Sequence, residues 1–220
     1  MKADETKKRL VRESVRLIGE RGLGGLSFRE MARRASVSHQ TPYHHFVNRE
    51  GILAAIALEG FTNLDAALVA TRAANRTKTP QKTLQAVLRA YVDFAMAHQV
   101  HFRVMFRPEL VPLRRYPAVR AQAKLSFQRL VDSIAECHLG VRQTDRGLLE
   151  VANALWAAAH GVATLWLDGP MRVNSPELSL PTLIEVATDI FSEAGARTKR
   201  IPQKRVDRFS AARTVSSRTT

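Results

Sequence analysis

Cysteine is almost absent: Cys137 stands alone among 220 residues. An internal disulfide is therefore impossible, a cysteine-based zinc site is excluded, and a reduced, cytoplasmic setting is expected. No uninterrupted run of about 18 apolar residues occurs, which argues against a transmembrane helix; a membrane-surface partner would need a basic amphipathic helix with exposed aromatics, and the basic C-terminal segment has only Phe209, so none is expected. The start, Met1-Lys2-Ala3-Asp4-Glu5-Thr6-Lys7-Lys8, lacks the apolar stretch of a signal peptide. Acidic residues are in deficit, 20 against 34 Lys and Arg, giving a net charge of +14. Such basicity points to a polyanion: DNA, RNA or an anionic membrane surface. What is present, 45% apolar residues, suits a soluble globular protein with a real core.

The charge is concentrated at the two ends. Residues 1–50 carry a net +5, residues 51–195 only +2, and residues 196–220 another +7. The near-neutral middle reads as packed core or subunit contact, and the ends as polyanion-facing parts. Residues 196–220, rich in Arg, Lys, Ser and Thr, read as a disordered basic tail. Such a tail either adds non-specific affinity for nucleic acid or is a solvated extension.

Periodicity is helical nearly everywhere. Leu10, Ser14, Leu17 and Ile18 share a face, and Gly22 ends that helix. Ser27 caps a second helix, with Glu30 completing a capping box; Phe28, Met31, Ala32 and Ala35 form its inner face. Ser36-Val37-Ser38 is a tight break. Ser38 can cap a third helix, from His39 to about Phe46, with Pro42 in its first turn. Asn48 caps a fourth, Arg49 to about Arg72. A loop over Asn75–Pro80 leads to a helix from Gln81 to about His98, whose face is Leu84, Val87, Leu88, Tyr91, Val92 and Ala95. A short helix over Phe102–Phe106 follows. Pro108, Pro112 and Pro117 then mark a mobile connection. Helices over Ala118–Cys137, Asp145 to about Leu167, and Pro181 to about Glu193 complete an all-α chain of about nine helices. Three regions result: 1–50, 51–195, and the tail 196–220.

Three short helices and a longer one, with the second and third joined by Ser-Val-Ser, have the shape of a helix-turn-helix over about residues 28–47. The third helix is short and polar and carries no acidic residue. It offers hydroxyl, amide and imidazole groups to base edges. A glutamine can read adenine bidentately, and a threonine can touch a thymine methyl.

Leu10 to Leu58 resembles the N-terminal domain of TetR-type transcriptional regulators. The matching array is Gly22, Leu26-Ser27-Phe28-Arg29-Glu30-Met31-Ala32, Ala35-Ser36-Val37-Ser38, Thr41-Pro42-Tyr43-His44-His45-Phe46, Asn48-Arg49-Glu50 and Leu53. Ser36 stands where that family usually has Gly, and Arg49 where Lys is usual. The resemblance implies that Arg29 reaches a phosphate or base edge, and that Ser38, His39, Gln40 and Thr41 face the groove. Tyr43 and His45 would hold phosphates, as would Arg49 or the start of its helix. His44 could be contact or core, and Phe46 is core. Trp156-Ala157-Ala158-Ala159-His160-Gly161, with His101 to Phe106 upstream, resembles the Trp…His-Gly motif of one TetR ligand-domain subfamily. That implies a ligand pocket involving Phe102, Met105, Phe106, Trp156 and His160, and a dimer interface made by the last two long helices.

Plainer alternatives stand beside these. Arg21-Gly22-Leu23-Gly24-Gly25-Leu26 follows a helix rather than a strand, so it is a turn and not a phosphate loop. His98 and His101 could share a face, but no third metal ligand is near, so no metal or cofactor is expected. Cys137-His138 is no nucleophile pair, because adjacent helical side chains diverge. Trp156, His160 and Trp166 could line a pocket or fill core. No set of convergent titratable groups supports an enzyme. The reading is a homodimeric, ligand-responsive DNA-binding regulator, a repressor on a pseudo-palindromic operator, released by a small apolar inducer. The rival is a largely non-specific DNA-binding protein driven by its basic tail.

Overall fold

The computed structural model describes residues 2–137 and 145–198. Ten α-helices and no strand occur among them: α1 (Lys2–Arg21), α2 (Phe28–Arg34), α3 (Thr41–His45), α4 (Arg49–Ala74), α5 (Pro80–Ala97), α6 (Gln99–Met105), α7 (Pro117–Cys137), α8 (Asp145–Leu167), α9 (Pro170–Asn174) and α10 (Leu180–Thr198). The sequence pattern predicts about nine. The tenth, α9, is a single turn begun by Gly169 in a left-handed conformation and Pro170 at the first helical position; one turn is too short to leave a period. α10 runs to Thr198 rather than stopping near Glu193. Of the tail expected over 196–220, residues 196–198 belong to α10 and residues 199–220 lie outside the described residues.

The helix α4 is the spine. Ile52, Leu53, Ile56, Ala57, Phe61, Leu64 and Leu68 are all buried on it, and it packs against α7, α5, α6 and α1. Asn48 caps it by accepting from the Gly51 amide at 3.0 Å. Gly60 lets α6 approach closely: a Cβ there would lie 2.9 Å from Met105 Cγ and 3.1 Å from His101 Cβ. α5 starts at Pro80 with Thr79 as cap, and its expected face is buried throughout.

Two helices, Arg49–Ala74 and the Arg146–Leu167 part of α8, are long and apolar enough to cross a membrane by length and composition. Neither is an uninterrupted apolar run; scattered polar residues break each one without lowering the average enough. Half of the qualifying stretch of α4 is buried, against 22% for that of α8. α4 is therefore a core helix. α8 leaves Leu149 and Leu165 exposed, and α10, packed beside it, leaves Val186 and Ile190 exposed.

The Pro-punctuated connection between α6 and α7 is a chain of turns, with Leu110 and Val111 amides donating to the Arg107 carbonyl at 3.0 Å each. Val111 is buried in the core. Glu50, in the first turn of α4, accepts from the Tyr116 hydroxyl at 2.9 Å and pairs with Arg115 at 3.1 Å. Proline spacing predicts turns but not what anchors them.

Candidate nucleic-acid interface and ligand cavity

The helix-turn-helix forms from local rules. Ser27 caps α2 by accepting from the Glu30 amide. The Glu30 carboxylate does not complete the capping box: it binds Arg33 at 2.8 Å and Arg34 at 3.1 Å. Those guanidiniums hold its pKa down at about 2. Arg34 also bridges to Glu20 on α1 at 2.7 Å, so two of the basic residues in this region serve the fold. α2 ends in a Schellman motif. The Val37 amide donates to the Ala32 carbonyl and the Ser36 amide to that of Arg33. Ser36 there takes φ +51°, the one non-glycine positive φ among the described residues. This is the position where glycine is usual in the resembling sequences, and the serine accepts the strain.

The third helix is shorter than expected. It spans Thr41–His45, and its cap is Gln40 rather than Ser38. Ser38 Oγ instead meets Thr41 Oγ1 at 2.9 Å. A turn over 38–40, closed by the Thr41 amide donating to the Ser38 carbonyl at 3.0 Å, leads into the helix, and Pro42 sits in its first turn, where the missing N–H is tolerated. Arg29, Ser38, His39, Gln40, Tyr43, His44 and Arg49 are exposed, whereas Thr41 and His45 are half-buried. His39 and Gln40 touch each other at 3.2 Å. The Tyr43 ring leans on Phe28, centroids 4.6 Å apart, and is still 56% exposed. Phe46 is buried, as expected. Arg49 donates one N–H to the Leu23 carbonyl, so part of its donor set ties α4 to the 3-10 turn Leu23–Gly25. That turn, entered through Gly22 at φ 69° and ψ −179°, is the Gly-rich segment set aside above as a phosphate loop. Two side chains escaped the sequence reading. Lys7 lies 6.0 Å from the Phe46 ring centre, and Val47, beside the recognition helix, is 92% exposed.

A cavity of about 390 Å³ opens between α4, α5, α7 and α8, within the range of small-molecule sites. Of the residues expected there, Met105, Phe106 and Trp156 line it. Phe102 and His160 stand behind its wall, their rings 5.0 Å apart. Phe61, Leu64, Tyr91 and Phe127 line it as well and were not singled out, because a lining residue and a core residue share one periodicity. The His160 imidazole finds its partner in Tyr91, Nδ1 to hydroxyl 2.8 Å, and Trp156 Nε1–H donates to the same hydroxyl at 3.2 Å. Burial pushes the Tyr91 phenol up and the His160 imidazole down from their usual ranges, so both are neutral near pH 7.

The remaining candidates resolve as structure. His101 is buried and pairs with Glu59 at 2.9 Å, while His98 stacks on Phe94 at 4.7 Å. No group of three metal-ligating side chains occurs among the described residues. Cys137 is buried, and desolvation raises its thiol to about 11, too high for a nucleophile at neutral pH. His138 lies outside the described residues.

The family profile described as bacterial regulatory proteins, tetR family, matches residues 10–56. A second, described as tetracyclin repressor-like, C-terminal domain, matches residues 84–214. The chain belongs to the TetR family. Members are DNA-binding transcriptional regulators and not enzymes, so the recognition unit over α1–α3 is a DNA-binding helix-turn-helix. Solved structures agree in fold. One, a protein of unknown function from Rhodococcus sp. RHA1, is 26% identical over 86% of this chain and 94% of its own, with a TM-score of 0.72. The TetR family regulator PfmR from Thermus thermophilus is 19% identical over 87% and 97%, TM-score 0.58. The fatty acid degradation regulator FadR from Bacillus halodurans is 15% identical over 84% and 97%, TM-score 0.62. No curated relative matches the chain.

Proposed function

We propose that this TetR-family protein is a homodimeric, ligand-responsive repressor, working in the cytoplasm on a pseudo-palindromic operator and released by a small apolar inducer. Residues 1–50 form the DNA-reading unit and 51–195 the ligand and dimerisation unit. The tail over 196–220 adds sequence-independent affinity. Gln40 and Thr41 read bases with Ser38 and His39 beside them; Arg29, Tyr43, His44, His45 and Arg49 contact phosphates or base edges. Exposed apolar side chains on α8 and α10, Leu149, Leu165, Val186 and Ile190, favour these two helices as the dimer face. The likeness of Trp156–Gly161 to the Trp…His-Gly subfamily motif agrees with Trp156 lining the cavity and His160 supporting it.

One observation carries the ligand response. Pro108, Val111 and Leu113, from the α6–α7 connection, line the cavity. The same connection ends at Arg115 and Tyr116, which hold Glu50 in the first turn of α4, directly after the recognition helix. A ligand that shifts this wall shifts the start of α4. It favours release only by binding the released state more tightly. The test is operator affinity with and without a bound apolar ligand. At about a hundredfold excess over its Kd, a ligand confined to the non-binding state lowers operator affinity about a hundredfold. Operator DNA must weaken the ligand by the same factor. Tight ligand binding with no coupling in either direction contradicts the proposal.

The rival, a largely non-specific binder driven by its tail, predicts little sequence preference. It also predicts loss of most affinity on deletion of residues 196–220.

A further inference from the structure

The cavity has no counter-charge. Among the described residues that line it, none is Lys, Arg, His, Asp or Glu. Its polar members are few, and most are already bonded. Ser126 Oγ gives its one hydrogen to the Phe61 and Gln122 carbonyls, 3.1 Å from each. Asn153, an exposed residue, spends one of its two Nδ2 hydrogens on the Leu149 carbonyl at 2.8 Å. Trp156 donates to Tyr91.

The Tyr91 hydroxyl is different, because its partner can reverse the bond. A hydroxyl has one hydrogen and can accept two bonds. With His160 carrying its proton on Nε2, Tyr91 donates to Nδ1. With the proton on Nδ1, His160 donates to Tyr91, which then accepts from both His160 and Trp156. Its hydrogen is then free for a group inside the cavity. The fold loses no hydrogen bond in this exchange, since only the direction of one bond changes.

We infer that the cavity selects an uncharged, mainly apolar molecule bearing a carbonyl or ether oxygen, held by the Tyr91 hydroxyl with His160 switching tautomer behind it, and that it rejects carboxylates and phosphates. The inference rests on the ligand-responsive reading above and names the class of ligand that reading requires. An anion buried here would keep its desolvation penalty with nothing to offset it. A neutral acceptor gains a hydrogen bond that an isosteric hydrocarbon cannot.

The test uses the full chain and three probes with the same two rings: benzophenone, diphenylmethane and diphenylacetate, titrated calorimetrically at pH 8. Benzophenone should bind about three- to tenfold tighter than diphenylmethane, and diphenylacetate about a hundredfold weaker than either or worse. Tyr91→Phe should bring the benzophenone to diphenylmethane ratio to about one. His160→Phe, which takes away the hydroxyl's acceptor within the fold, should keep or widen that ratio. Diphenylmethane binding reports in each variant that the cavity is intact; if Tyr91→Phe loses it, the His160→Phe ratio decides. The inference is overturned if diphenylacetate binds as tightly as benzophenone, if Tyr91→Phe keeps the ratio with diphenylmethane still bound, if His160→Phe abolishes the ratio, or if none of the three binds. Operator binding separates the two readings. The predicted ranking with no probe affecting operator affinity sinks the ligand response and leaves this inference standing. Operator release by diphenylacetate does the reverse.

Discussion

Ser36 sits in the left-handed region because the Schellman turn after α2 demands it, at a cost for a residue with a Cβ of about 1–2 kcal/mol. Glycine would remove that cost while adding unfolded-state entropy. Ser36→Gly should therefore stabilise the protein by about 0.5–1 kcal/mol, measured by urea denaturation, with operator preference unchanged; a destabilised variant would contradict the strained-turn account. His160 offers a pH test. Its folded pKa lies below its ordinary value because burial disfavours the imidazolium, so the unfolded chain binds the proton more readily. Stability is then fully present above about pH 6.5 and declines as pH falls through that value toward the folded pKa. His98 is lowered for the same first reason and adds to the slope. Melting temperature between pH 7.5 and 5.5 should fall less steeply in His160→Phe than in the parent; identical slopes would mean that His160 is not held neutral. Base readers and phosphate holders separate by their effects on different DNAs. Gln40→Ala or Thr41→Ala should cost about 1–3 kcal/mol on the operator and little on random DNA. Arg49→Ala should weaken both and reduce the salt slope by about one; an unchanged slope would assign Arg49 wholly to the Leu23 carbonyl.

Among the helices, α4 carries most of the mechanical burden, since it packs on both α1 and the cavity-forming helices. Gly60 is where α6 comes nearest to it. Gly60→Ala should destabilise by about 1–3 kcal/mol through overpacking against Met105, read by thermal or urea unfolding; a neutral result would mean that α6 yields freely. The link from Tyr116 and Arg115 to Glu50 gives a sharper expectation. Tyr116→Phe or Glu50→Gln should reduce the factor by which ligand weakens operator binding more than it changes either affinity alone. Unaltered coupling would mean that the cavity speaks to α3 by another route. Much of this architecture is legible in the sequence. The face of α5 and the limits of α8 follow from the 3.6-residue period, and the caps at Ser27 and Asn48 from residue chemistry. The helix-turn-helix is legible from a dense local array, where each turn and cap lies within a few residues of its partner. The role of Glu50, the switchable bond at Tyr91 and the anchoring of Val111 are not. Each depends on residues far apart in the chain meeting in space, and neither periodicity nor turn chemistry carries that information. The capping box at Glu30 fails for a local reason, because Arg33 and Arg34 compete for its carboxylate more strongly than a backbone amide does.

Across the molecule, the charge map and the fold point the same way. The basic N-terminal unit presents an exposed polar helix, the near-neutral middle holds an apolar cavity, and α8 and α10 leave Leu149, Leu165, Val186 and Ile190 exposed. The proposed dimer through α8 and α10 requires two copies of α3 to enter successive major grooves, roughly 34–36 Å apart. Selection of bound DNA from a random pool by the full chain is therefore the most direct measurement. An inverted repeat should emerge, with half-sites about one or two helical turns apart, and it should survive deletion of residues 196–220. A pool without a repeat, or binding that disappears with the tail, would contradict the account.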